Sequence, residues 1–109
     1  MTKNRKPKGN TKRRLGVISY AEEFPEALHD CIDLTIGAEQ DVEDWKKVRG
    51  VEALKKACIS LGAAKGICRI AQMAALEKRD NSEFVTASEN RHRMTKTYNS
   101  LSCSEMVLK

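Results

Sequence analysis

The feature that most constrains this chain is the spacing of its apolar residues, which return at intervals of three and four from Phe24 to Leu101. That period belongs to the α-helix, where it buries one face and leaves the other to water. Glycines at 37, 50 and 62 and the turn-forming Asp80-Asn81-Ser82 divide the pattern. The expected fold class is therefore all-α, a compact bundle of four to five short helices.

Each segment carries its own signals. Phe24-Pro25-Glu26 opens a helix, because proline is tolerated in a first turn and acids there complement the positive dipole end. Phe24, Ala27, Leu28, Cys31 and Leu34 form its apolar face, with Gly37 as the expected stop. Ala38 to Arg49 places Glu39, Asp41, Glu43 and Asp44 early and Lys46, Lys47 and Arg49 late, again in dipole order, and Gly50 closes it. Trp45, the only tryptophan, is expected to anchor this helix to the core. Val51 to Leu61 turns Val51, Leu54, Cys58 and Leu61 inward and ends at Gly62.

Ala63 to Arg79 is apolar around most of its circumference, which predicts the central and most buried element. Its polar stripe is Lys65, Arg69 and Gln72, at i, i+4 and i+7. A last helix runs from about Glu83 to Leu101, capped by Asn81 or Ser82. Its seam, Phe84, Ala87, Arg91, Met94, Tyr98 and Leu101, has heptad spacing. Such a seam serves either the chain's own bundle or a homodimer through residues 84–101, where Arg91 needs an acidic partner or an exit to solvent. With 5% aromatic residues, the core falls to Leu, Ile, Val, Ala and Met.

Charge is blocked along the chain. Residues 1–14 hold Lys3, Arg5, Lys6, Lys8, Lys12, Arg13 and Arg14 with no acid; residues 15–45 hold nine acids and no base; residues 46–109 hold thirteen bases and six acids. The first block has too little apolar surface to offset its ordering entropy and is expected to be a disordered basic arm. The organisation that follows is the arm over 1–14, a helical domain over 15–101 and a frayed tail over 102–109. No apolar run approaches the ~20 residues that span a bilayer, so no membrane partner is expected. The N-terminal residues lack the apolar stretch of a secretory signal, which predicts an intracellular chain.

Residues 57–71 can be fitted to a helix–turn–helix, with Cys58 small in the first helix and Gly62 in the turn. They equally fit an ordinary αα-corner closed by Gly62. Cys31, Cys58, Cys68 and Cys103 form no Cys-x-x-Cys pair, and without a secretory signal the expectation is four reduced thiols. His29 and Cys31 sit two apart and point to different helix faces, so no metal or other cofactor is expected. No nucleophile–base–orienter set, Gly-rich phosphate loop or dinucleotide fingerprint is present, and an enzyme is not expected.

Two function classes remain. In the first, a small non-enzymatic regulator associates with DNA or RNA, its arm and a second patch of Lys65, Arg69, Arg79, Arg91, Arg93 and Lys96 meeting phosphates. Its size and charge are common among phage and mobile-element regulators. In the second, an inhibitor or adaptor presents the acidic zone 22–44, with Glu26, Asp30, Asp33, Asp41, Asp44 and Trp45, to a basic protein as a phosphate-backbone mimic. Pairing of the arm of one copy with the acidic helices of another is a third arrangement of the same charges.

Overall fold

A computed structural model describes residues 19–108. The basic arm therefore lies outside the described residues. Five helices follow in order: α1 (Tyr20–Glu23), α2 (Ala27–Val48), α3 (Val51–Lys78), α4 (Asn81–Ser100) and α5 (Cys103–Leu108). Among the described residues there is no strand, and the all-α class is observed. The long helix α3 packs along both α2 and α4, which touch one another much less. The result is a flat arrangement, 59 × 31 × 17 Å, with α3 in the middle.

Two glycines do not act as the sequence suggests. Gly37 lies inside α2 and Gly62 inside α3, so four expected segments become two long helices. A glycine in a helix interior costs only about 1 kcal/mol relative to alanine. The buried line Cys58, Leu61, Ala64, Cys68 runs straight past Gly62 and outweighs that cost. Both the helix–turn–helix and the αα-corner over 57–71 are thereby excluded. Gly62 faces α4, where a Cβ would make ordinary contact, 3.7 Å, with the Tyr98 ring.

The real breaks coincide with left-handed backbone. Arg49 and Arg79 have φ of 63° and 58°, and their N–H groups bond back into α2 and α3 as C-terminal caps. Gly50 then begins α3, and Asp80, rather than Asn81 or Ser82, caps α4 by accepting the Glu83 N–H at 3.0 Å. Residues 102–109, expected to fray, contain α5, and Cys103 within it is buried.

Of the fifteen buried apolar residues, eight are alanine and four are cysteine, leaving Val42, Leu61 and Met94 as the larger ones. Small side chains let helix backbones approach closely: of the expected Leu, Ile, Val, Ala and Met, alanine supplies most of the core, and the cysteines join it. Ile36, Val48, Val51, Ile59 and Leu76 are all more than half exposed, against the inward position expected for Val51. Two of the helix pairs are joined covalently. Cys31 of α2 is bonded to Cys68 of α3 with Cα atoms 4.8 Å apart, and Cys58 of α3 to Cys103 of α5 at 5.3 Å. The four cysteines are thus two disulfides and not reduced thiols. The core-facing spacing of Cys31, Cys58 and Cys68 was visible in the sequence; the hairpin register that brings them together was not.

The short α1 is held from outside. Its N-cap Ser19 accepts the Glu22 N–H, and the Glu77 carboxylate of α3 accepts the Tyr20 and Ala21 N–H groups, both at 2.9 Å. These donors, Ala21 foremost, hold the Glu77 pKa below its ordinary value.

Candidate functional site

Antiparallel packing of α3 and α4 brings two polar lines together. On α3 the line is Lys65, Arg69 and Gln72, one helical face by their spacing. On α4 it is Ser88, Arg91 and Tyr98. Gln72 joins them: its amide donates to the Ser88 hydroxyl at 2.8 Å, and its carbonyl oxygen accepts from Arg91 Nη1 at 2.7 Å. About two turns away, Lys65 Nζ lies 4.0 Å from the centre of the Tyr98 ring. The same ring packs beside Gly62, where a Cβ would make ordinary contact with it.

The seam therefore carries three cations, Lys65, Arg69 and Arg91. Among the described residues none of them is paired with a carboxylate. A neutral amide and an aromatic face hold two of them in place without cancelling their charge. Arg91 has five N–H donors and gives one to Gln72, so most of its fork still faces outward.

The other expected basic residues do not join this group. Arg93 forks onto Glu39 of α2 at 3.1 and 3.3 Å, so its charge is matched and it clamps α4 to α2. Lys96 is exposed five residues beyond Arg91, on a different side of α4. Arg79 is the left-handed cap at the end of α3. His92 lies with Ser88, Glu89 and Arg93 around a shallow depression beside the seam.

The acidic candidates line the exposed side of α2. Asp30 and Asp33 flank the His29 ring, with Nδ1 to oxygen distances of 3.7 and 3.6 Å. Asp41 accepts from the Ser60 hydroxyl, and Asp44 from the Gln40 amide at 3.0 Å. Glu43 is paired with Lys46 at 3.3 Å, and Glu26 is exposed just before α2. Trp45 is half-buried, with the Arg49 guanidinium 4.8 Å from its ring centre, and stands outside both core clusters. It lies at the edge of the bundle and is not the core anchor the sequence suggested.

Chemically, the seam presents cations, amide and hydroxyl groups and one aromatic face side by side. Among the described residues no three metal-ligating side chains converge, and no helix is long and apolar enough to cross a membrane. The fold and site together define a disulfide-stapled helical domain with a basic seam on one flank. No protein-family model, curated protein or solved structure matches this chain. The sequence had singled out Lys65, Arg69 and Gln72 as a stripe. Tyr98 and Ser88 had no sequence signal as site residues, because their role depends on which α4 residues come level with that stripe.

Proposed function

We propose that this protein is a non-enzymatic nucleic-acid-associated regulator that holds backbone phosphates along the α3–α4 seam. The observation that supports this reading is that Lys65 and Arg91 are held along one seam, with Arg69 between them on the α3 stripe, without a carboxylate partner among the described residues, whereas Arg93, Lys46 and Lys78 are each paired with one. Unpaired cations release condensed counterions when they meet phosphate. Residues Lys3 to Arg14 extend the same chemistry. The adaptor reading of the acidic zone draws less support, since Glu39, Asp41, Glu43 and Asp44 already have partners within the chain.

The test is fluorescence anisotropy with labelled duplex DNA and duplex RNA at several salt concentrations. The full chain is compared with a Lys65→Ala/Arg69→Ala/Arg91→Ala variant. Binding should weaken with salt, and the variant should lose about two to three units of the log–log salt slope. If the full chain binds neither duplex at low salt, or the variant keeps the slope, the seam is not a phosphate site.

A further inference from the structure

We infer that the Cys58–Cys103 bond is a redox-sensitive latch: a thiol reductant opens it before Cys31–Cys68, and α5 then comes away from an otherwise intact helix layer. The sulfurs themselves do not distinguish the two bonds. All four cysteines have 0% exposure, so neither bond can be attacked until some part of the fold opens. What separates them is how much has to open.

Cys31–Cys68 lies inside the two longest helices, the 22-residue α2 and the 28-residue α3. It belongs to a buried cluster with Ala27, Ala71 and Ala87, the last from α4, so residues of three helices surround it. The Thr35 hydroxyl of α2 lies 3.7 Å from Cys68 Sγ, a further contact across the same junction. Exposing these sulfurs means parting α2 or α4 from α3, which is close to unfolding the whole domain.

Cys58–Cys103 instead ties α3 to the first residue of a six-residue helix. A helix that short has no stability of its own and persists only through its packing. That packing is slight: Cys103 is buried and Met106 partly buried, while Ser104 and Glu105 are exposed. The Glu105 and Met106 N–H groups bond back to the Ser102 carbonyl at 3.2 and 3.4 Å. Ser102 itself has φ 55°, a left-handed conformation that costs a non-glycine residue energy. Unwinding α5 from this joint bares Cys103 Sγ and leaves α2, α3 and α4 in place. Terminal segments open in this way at a small fraction of the global free energy.

The exchange is balanced with a dithiol as reductant. Its thiolate attacks Cys103 Sγ and forms a mixed disulfide there, while Cys58 leaves as a thiolate and takes up a proton. The reductant's second thiolate then attacks the sulfur already bound, Cys103 leaves in turn and is protonated, and the reductant departs as a cyclic disulfide. With the latch open, the cluster containing Leu61 and Met94 loses the packing that Cys103 and Met106 supplied.

Timed exposure of the oxidised full chain to dithiothreitol, quenched with N-ethylmaleimide and read by peptide mass spectrometry, gives the order in which the thiols appear. Cys58 and Cys103 should be alkylated about tenfold or more faster than Cys31 and Cys68. The doubly alkylated intermediate should keep the far-UV circular dichroism of α2 to α4 and bind an apolar dye more strongly than the oxidised chain. Met106→Ala, which loosens α5, should speed the first pair severalfold and leave the rate of the second unchanged. Cys31 and Cys68 reacting first, or all four thiols appearing together, overturns the inference. So does an intermediate that has lost most of its helix, or a Met106→Ala chain whose first pair reacts no faster.

Discussion

Removing the Cys31–Cys68 bond as Cys31→Ala/Cys68→Ala should destabilise the domain by about 4 kcal/mol. The magnitude follows from chain entropy: the bond closes a loop of 37 residues, and freeing a loop of that size gives the unfolded chain about 4 kcal/mol of added conformational freedom. The 45-residue loop closed by Cys58–Cys103 yields nearly the same figure. The two loops overlap, so their effects are not independent. Domains of this size hold only about 5–15 kcal/mol in total, and little in this core can compensate. An alanine side chain buries a single methyl group, worth about 0.8 kcal/mol, where a leucine contributes about 1.5–3 kcal/mol. Urea unfolding followed by far-UV circular dichroism measures the change, with a fall in Tm of about 15–30 °C as a second readout. Reducing the wild-type chain with a dithiol should melt the helices without added denaturant. A loss below about 1 kcal/mol, or a reduced chain with full helix content, would refute the view that cross-links hold this core.

Other expectations follow from the helix ends. The Glu77 carboxylate is stabilised by the α1 N–H groups, and a depressed carboxylate contributes at neutral pH and is lost as pH falls below the ordinary range near about 4.3. Amide exchange should show α1 losing protection in that acid window, with Glu77→Gln reproducing the loss at neutral pH; protection that persists in the variant would remove Glu77 from the account. Arg79→Gly should stabilise the domain by about 0.5–1 kcal/mol, since its φ of 58° suits glycine. Arg49→Gly gains the same backbone relief but gives up the stacking on Trp45, so its urea midpoint should move much less.

The all-α class, the central position of the Ala-rich segment and the span of the last helix were legible because they depend on periodicity within one segment. Helix ends were less so. Gly37 and Gly62 resemble stops, but α2 and α3 end where left-handed residues bond back to the last carbonyls, at Arg49 and Arg79. The cysteine pairing was missed for a different reason. Compartment reasoning favoured thiols, whereas contact between Cys31 and Cys68 depends on the α2–α3 hairpin register, which no local signal reports. The same limit separates Lys65, Arg69 and Arg91 from Arg93 and Lys96. All five are basic residues in the later helices; the facing residue, Gln72 or Tyr98 against Glu39, separates Arg91 and Lys65 from Arg93, and the helix face separates Lys96.

The bonds 31–68 and 58–103 interleave along the chain, each beginning before the other ends. Every peptide bond between residues 31 and 103 is therefore bridged by at least one of them. A protease that cuts after Arg49 or Arg79, both exposed at the two corners of the helix layer, severs the backbone without releasing a fragment. The nicked molecule keeps its mass and its helices stay tethered, so proteolysis alone does not dismantle it. Reduction alone leaves one continuous chain; only the two together let the pieces part.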